Sequence, residues 1–292
     1  MSGAFACIAG EEIYRLIETG RLQPERLGQK QTPYGLSGEI FLADAGRHPF
    51  YLLARFKENQ AKTSPRKINS RANIYALKDL GVGSILGWGP AGAITHSFML
   101  NDLALIGDVI DMTYLRETTF FEDSPFGYLR QFPVFCQPLR RRLADVLDRM
   151  GLAYHDQALA AVKEGPRLET PAEIKVLAGL DAEVVTHTLV PEMFLAKELQ
   201  ICYSGVCYIV NYAETGSRHR PFETGGLFGS VHRFAHGRQY DSVNASLDEI
   251  ARALAEALAM GQEPCECAKA MQAMREQFDL SADWKSWLSP ER

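Results

Sequence analysis

No stretch of this 292-residue chain is apolar for long enough to cross a membrane as a helix. The opening residues, Met1-Ser2-Gly3-Ala4-Phe5-Ala6-Cys7, lack the charged region and long apolar core of a signal peptide, so the cytoplasm is the expected location. Six cysteines do not make a secreted disulfide framework in a chain of this size. Internal repeats, low-complexity tracts and obvious linkers are missing as well. Positive charge is in deficit: the net charge of -5 argues against a broad nucleic-acid-binding surface, while leaving room for a small cationic pocket. With 46% hydrophobic and 23% charged residues, the composition is that of a globular protein with enough chain for one large domain.

The cysteines divide into two groups. Cys7, Cys136, Cys202 and Cys207 stand in apolar surroundings and read as buried thiols. Cys265 and Cys267 form a Cys-Glu-Cys arrangement near the C-terminus, read either as exposed helix cysteines or as a local redox pair. A metal site there needs two more ligands, none is evident in the neighbouring sequence, and no metal is expected.

Short apolar runs alternate with helical patterns, which predicts an α/β fold: one domain over residues 1–292, with a central mixed sheet flanked by helices. Strands are expected at Phe50–Phe56, Ser84–Trp88, Leu103–Ile110, Val184–Thr188 and Cys202–Val210. The second of these should open into a turn at Gly89-Pro90-Ala91-Gly92. Helices are expected at Asn69–Leu80, ended by Gly81, and at Thr170–Leu180, with Thr170 capping, Pro171 in the first turn and Glu173 closing a capping box. Ser246–Met260 reads as an amphipathic helix, with a Ser246/Glu249 capping box and Gly261 as its stop. Residues 216–240, rich in Gly, Arg and His without a period, read as a mobile loop.

Three stretches go beyond fold class. They are Lys67-Ile68-Asn69-Ser70-Arg71-Ala72-Asn73-Ile74, then Glu164-Gly165-Pro166-Arg167-Leu168-Glu169-Thr170-Pro171-Ala172-Glu173, then Thr188-Leu189-Val190-Pro191-Glu192 followed by Ala196-Lys197-Glu198. In order and spacing the chain resembles the trimeric purine nucleoside phosphorylase and methylthioadenosine phosphorylase family, from about Ile8 to Ala213. Residues 214–292, a loop plus C-terminal helices, lie beyond the resemblance. It implies cleavage of the N-glycosidic bond of a purine nucleoside, with phosphate as co-substrate, no metal or organic cofactor, and a homotrimer.

Such chemistry must stabilise positive charge on the sugar and negative charge on the departing base while an acceptor attacks from the opposite face. By resemblance, Arg55, Thr188 and Gly89 fall at phosphate-binding positions, and Lys57 is placed to replace a lost donor. Asn211 matches the position that distinguishes purines. Its amide offers a donor and an acceptor, which suits a 6-oxo base, whether in an ordinary or a 5′-methylthio nucleoside. Leu168 stands where relatives stack a phenylalanine on the base, and His187 where a methionine packs on ribose. A histidine there can bind a sugar hydroxyl or move a proton. Glu192 lies in a segment that contacts ribose in some relatives, or else supports the fold. Tyr128 corresponds to a residue reaching into a neighbouring subunit's site.

The pattern breaks at phosphate. Phe56 and Lys57 replace the histidine and glycine that follow the family arginine, and Pro90 has no N–H where an alanine amide is expected. Ala9-Gly10-Glu11-Glu12 puts Glu11 at or near a hydroxyl position, where a carboxylate repels phosphate. Three functional readings stay open: phosphorolysis; hydrolysis with Glu11 or Glu12 as general base on water; and a nucleoside-binding protein without turnover. The two glutamates also fit as first-turn carboxylates of a helix starting near Ile13.

Overall fold

The structure, a computed structural model, describes residues 3–44, 46–56, 64–213, 239–261 and 263–288, without the side chains of 239–245. Among these residues nine strands make one mixed sheet: β1 Ala4–Ala9, β2 Glu25–Thr32, β3 Gly35–Ala43, β4 Phe50–Ala54, β5 Val82–Ala93, β6 Leu103–Met112, β7 Tyr154–Lys163, β8 Val184–Thr186 and β9 Cys202–Tyr212. Their order is β2-β3-β4-β1-β5-β8-β7-β6-β9, and β5 also pairs with β9. Five strands, β5-β8-β7-β6-β9, therefore close into a ring, and the other four extend from it as a wing. Among the described residues seven α-helices pack around the sheet: α1 Glu12–Glu18, α2 Ser70–Asp79, α3 Gln137–Arg149, α4 Pro171–Gly179, α5 Glu192–Glu198, α6 Gln239–Ala259 and α7 Gln272–Phe278.

Local chemistry accounts for most boundaries. Asn69 caps α2 by accepting from the Ala72 amide, and Gly81, at φ 78°, turns the chain out of the helix. The Thr170/Glu173 capping box is formed in full, with Pro171 in the first turn. Strands with near-continuous apolar runs lie inside: five of six residues of β1 and nine of eleven of β9 are buried. Leu86, Trp88, Val206 and Tyr208 pack against the helical layer that contains Leu139, Leu143, Ile250 and Leu254. Ile85, Ala91, Ala160, Val162 and Ile209 belong to the other main core.

Three expected features are corrected. Gly89-Pro90-Ala91-Gly92 is not a turn but the second half of β5. Beside β5 the β1 ladder ends at Gly87 and the β8 ladder begins at Ala91, so Pro90, whose carbonyl faces β8, falls where no strand awaits its missing N–H. Ser246 does not cap the C-terminal helix, which starts at Gln239. Neither Gly nor Pro interrupts residues 239–260, so a capping pattern at Ser246 cannot stop a helix arriving from upstream. The expected loop at 216–240 lies outside the described residues, except that Gln239 and Tyr240 already belong to α6. Cys265 and Cys267 are half-buried around a short 3₁₀ turn, not exposed on an α-helix.

The buried Glu198 at the end of α5 gives the fold a pH dependence. Its carboxylate accepts from the Thr119 hydroxyl at 2.5 Å and the Phe120 amide at 2.7 Å, while burial pushes it up to about 7. Between its unfolded value and about pH 7 the folded state holds the extra proton, so stability falls as pH rises through that window, by roughly 3 kcal/mol in total. Glu198→Gln can keep both hydrogen bonds without the charge. Its melting temperature should exceed that of the parent at pH 8 and converge with it near pH 4. Parallel melting profiles across that range would show that Glu198 is not the titrating group.

Candidate active site

Five consecutive residues of β5, Trp88 to Gly92, spanning about 13 Å of extended chain, form a floor that contacts Arg55, Thr188 and Asn211 at separate points. The Trp88 carbonyl accepts from Arg55 at 2.5 Å. Thr188 packs directly on Gly89, where a Cβ would stand 2.4 Å from the Thr188 hydroxyl, so only glycine fits there. The Pro90 carbonyl accepts from the Thr186 hydroxyl at 2.7 Å, and that hydroxyl lies 2.9 Å from Thr188 Oγ1. Gly92 pairs with Asn211 across the β5–β9 ladder, with the Asn211 amide oxygen against it. Pro90 itself is exposed.

Arg55 and Glu192 are brought together, but not as the sequence suggests. The expected phosphate ligand and the expected ribose contact hold each other in a bidentate ion pair, with side chains 1% and 4% exposed. Tyr203 donates to the same carboxylate at 2.8 Å. Burial works against the Arg55 charge, and the Glu192 carboxylate more than offsets it, leaving the guanidinium well above its ordinary value. Glu192 is thus a fold-supporting carboxylate. Arg55 braces the floor from behind at Trp88 instead of standing free as a phosphate cation.

His187 and Thr188, both half-buried, leave the end of β8 together. His187 Nε2 lies 3.4 Å from Glu169, a buried carboxylate, and the ring presses on Gly165, which takes φ 63°. Leu168, beside Glu169, is 40% exposed and free to cover a flat ligand. Glu169 itself was not singled out by sequence reasoning. Its signal was its place in the Glu-Gly-Pro-Arg-Leu-Glu run, next to the stacking position.

Arg116 was also missed, and no motif announces it. Its guanidinium donates to four backbone carbonyls, those of His187, Val190, Lys163 and Glu164. By tying the exit of β7 to the exit of β8 it fixes where His187 and Thr188 point.

Glu11, Glu12 and Tyr128 do not join this group. Glu11 pairs with Arg15 at 3.5 Å on the surface of α1, its side chain 41% exposed. Glu12, by contrast, is 4% exposed: one carboxylate oxygen accepts from Tyr208, and the other is buried beside Gly10 without a partner among the described residues. Tyr128 is 83% exposed, and among the described residues no contact links it to Thr188 or Asn211. Lys57 lies outside the described residues.

Known proteins carry the same framework. The model of the phosphorylase superfamily matches residues 32–231. A probable 6-oxopurine nucleoside phosphorylase of Thermococcus kodakarensis is 34% identical over 215 residues, covering 71% of this chain and 79% of that one. A probable S-methyl-5′-thioinosine phosphorylase of Methanothermobacter thermautotrophicus is 35% identical over 206 residues, 70% of each chain. A crystal structure of a methylthioadenosine phosphorylase from an antarctic soil metagenomic library superposes with a TM-score of 0.80 at 24% identity, covering 99% of this chain and all of that one. This last likeness is one of fold. The chain belongs to the phosphorylase superfamily, in its purine nucleoside phosphorylase and methylthioadenosine phosphorylase group.

Proposed function

We propose that the protein is a pentosyltransferase that cleaves a 6-oxopurine nucleoside by phosphorolysis, giving free base and ribose-1-phosphate. What supports this reading is that Thr188 packs on Gly89 and Asn211 pairs with Gly92, two nearby points of β5, in a chain whose curated relatives include 6-oxopurine nucleoside phosphorylases. A 6-oxopurine carries a carbonyl acceptor and a ring N–H donor. The Asn211 amide can serve the first, and the buried Glu169 carboxylate is an acceptor suited to the second. His187, beside Glu169, is placed for the sugar. Phosphate takes the Thr188 hydroxyl above Gly89. The 5′ substituent stays open between hydroxyl and methylthio, since S-methyl-5′-thioinosine phosphorylases are equally similar relatives.

The reading requires no cofactor: phosphate is the co-substrate. It takes the assembly to be a homotrimer in the cytoplasm. Tyr114, Leu115, Tyr128 and Phe132, between 63% and 90% exposed, supply an apolar surface for self-association. Light scattering at three chain masses supports the trimer, and a monomer removes it.

Inosine, guanosine and methylthioinosine, each incubated with and without phosphate, test the reaction through free base and ribose-1-phosphate. Base release is expected only with phosphate, together with an equal yield of the sugar phosphate. Glu11→Gln should stay within about twofold of the parent, because an exposed i,i+4 ion pair contributes little. Release without phosphate would transfer the reaction to water, with Glu12 as the base, and Glu12→Gln should then lose about 10²-fold or more. Binding without release would leave a nucleoside-binding protein.

A further inference from the structure

Four cysteines from three distant parts of the chain meet outside the nucleoside site. Cys136 precedes α3, Cys202 opens β9, and Cys265 and Cys267 flank and enter the 3₁₀ turn at Glu266–Lys269. Their four Sγ atoms all lie within 4.8 Å of one another, and Cys202 and Cys265 are 3.3 Å apart. We propose that Cys136, Cys202, Cys265 and Cys267 bind one zinc ion as a tetrathiolate site that fastens the C-terminal segment to the barrel. This assigns the partners that the Cys-Glu-Cys pair lacks in the linear sequence.

The geometry suits one ion at the centre. Zn–S bonds of about 2.3 Å in a tetrahedron place the sulfurs about 3.8 Å apart, between the separations seen here. All four are free thiols, and the Cys202–Cys265 separation is well beyond the ~2.05 Å of a disulfide. A cavity of about 20 Å³ adjoins the cluster, lined by Cys136, Cys202 and Cys265 among others, with Arg142 at its edge. The N-terminus of the 13-residue α3 favours negative charge at Cys136. A tetrathiolate zinc site is dianionic, and Lys78 near Cys202 and Lys197 near Cys267 supply compensating charge. Lys197 is itself fixed by the carbonyls of Gln131 and Pro133, at 2.6 and 2.8 Å. Closing a loop from Cys136 to Cys267 through a metal also restricts the unfolded chain, as a long-range crosslink does.

The test uses the full chain, produced with zinc in the medium, purified under reducing conditions and dialysed against metal-free buffer. One equivalent of zinc per chain is expected, and replacing zinc with Co²⁺ should give the intense visible bands of a tetrahedral cobalt thiolate. Chelation should expose four further titratable thiols and lower the melting temperature by roughly 5–10 °C. The double variant Cys265→Ser, Cys267→Ser should lose the metal, while Cys7→Ala keeps it. Should the double variant fail to fold, cobalt substitution in the parent decides the matter alone. Metal-free protein with four reactive thiols, or with a mass lower by about 4 Da from two disulfides, overturns the proposal. None of these measurements depends on nucleoside cleavage.

Discussion

Glu192→Ala is expected to lower the unfolding free energy by about 3–5 kcal/mol, because it strands a guanidinium in the core. Arg55 has almost no contact with solvent, so it cannot recover water when its partner is removed. The Tyr203 hydroxyl loses its acceptor in the same change. Set against a total stability of roughly 5–15 kcal/mol, this loss brings the variant close to unfolding at ordinary temperatures. Urea or thermal unfolding reads it directly. A second pair of variants separates the ion pair from mere packing. Arg55→Met and Glu192→Met should each be strongly destabilising, and the double variant should recover much of the loss, since an apolar pair leaves no buried charge. Additive losses, or a change below about 1 kcal/mol for Glu192→Ala, would show that the pair does not hold the floor in place.

That ion pair also shows where sequence reading stops. Arg55 and Glu192 were both recognised as important positions, and both lie near the site. Their pairing could not be read, since 137 residues separate them and only the folded chain, which brings the end of β4 to Trp88 of β5 and to α5, decides which charge each one meets. The capping box at Thr170/Glu173 was legible because it is complete within four residues. So were β4, β9 and the first part of β6, whose burial leaves apolar runs. The wing strand β2, by contrast, reads Glu-Arg-Leu-Gly-Gln-Lys-Gln-Thr, with one face open to solvent, and no hydrophobic run marks it. Residues 89–92 were misread for a related reason: Gly and Pro normally signal a turn, and only the gap between two neighbouring ladders admits them to a strand. The cysteine cluster and the Arg116 clamp depend on the closure of the barrel and were invisible in one dimension.

Asn211→Asp is the change expected to move substrate preference furthest. The side chain pairs a carbonyl oxygen with an NH₂ group, and among the described residues the NH₂ is held only weakly, by the Tyr212 carbonyl at 3.4 Å. That leaves a donor available to a 6-oxo base. Aspartate is acceptor-only when ionised, so the same base would meet lone pair against lone pair, and a partly buried polar contact would turn from attraction to repulsion. A site built to hydrogen-bond a group rejects the wrong partner far more strongly than an apolar pocket rejects a missing methylene. Catalytic efficiency toward inosine should therefore fall by about 10²-fold or more, while efficiency toward adenosine, whose 6-amino group donates, should rise. Because Asn211 sits at the end of an interior strand and is itself only half-buried, the melting temperature should change little, which separates recognition from folding. Equal losses on both nucleosides would place Asn211 outside base recognition. The specificity would then rest on Glu169 and His187 at the exits of β7 and β8, whose positions Arg116 controls.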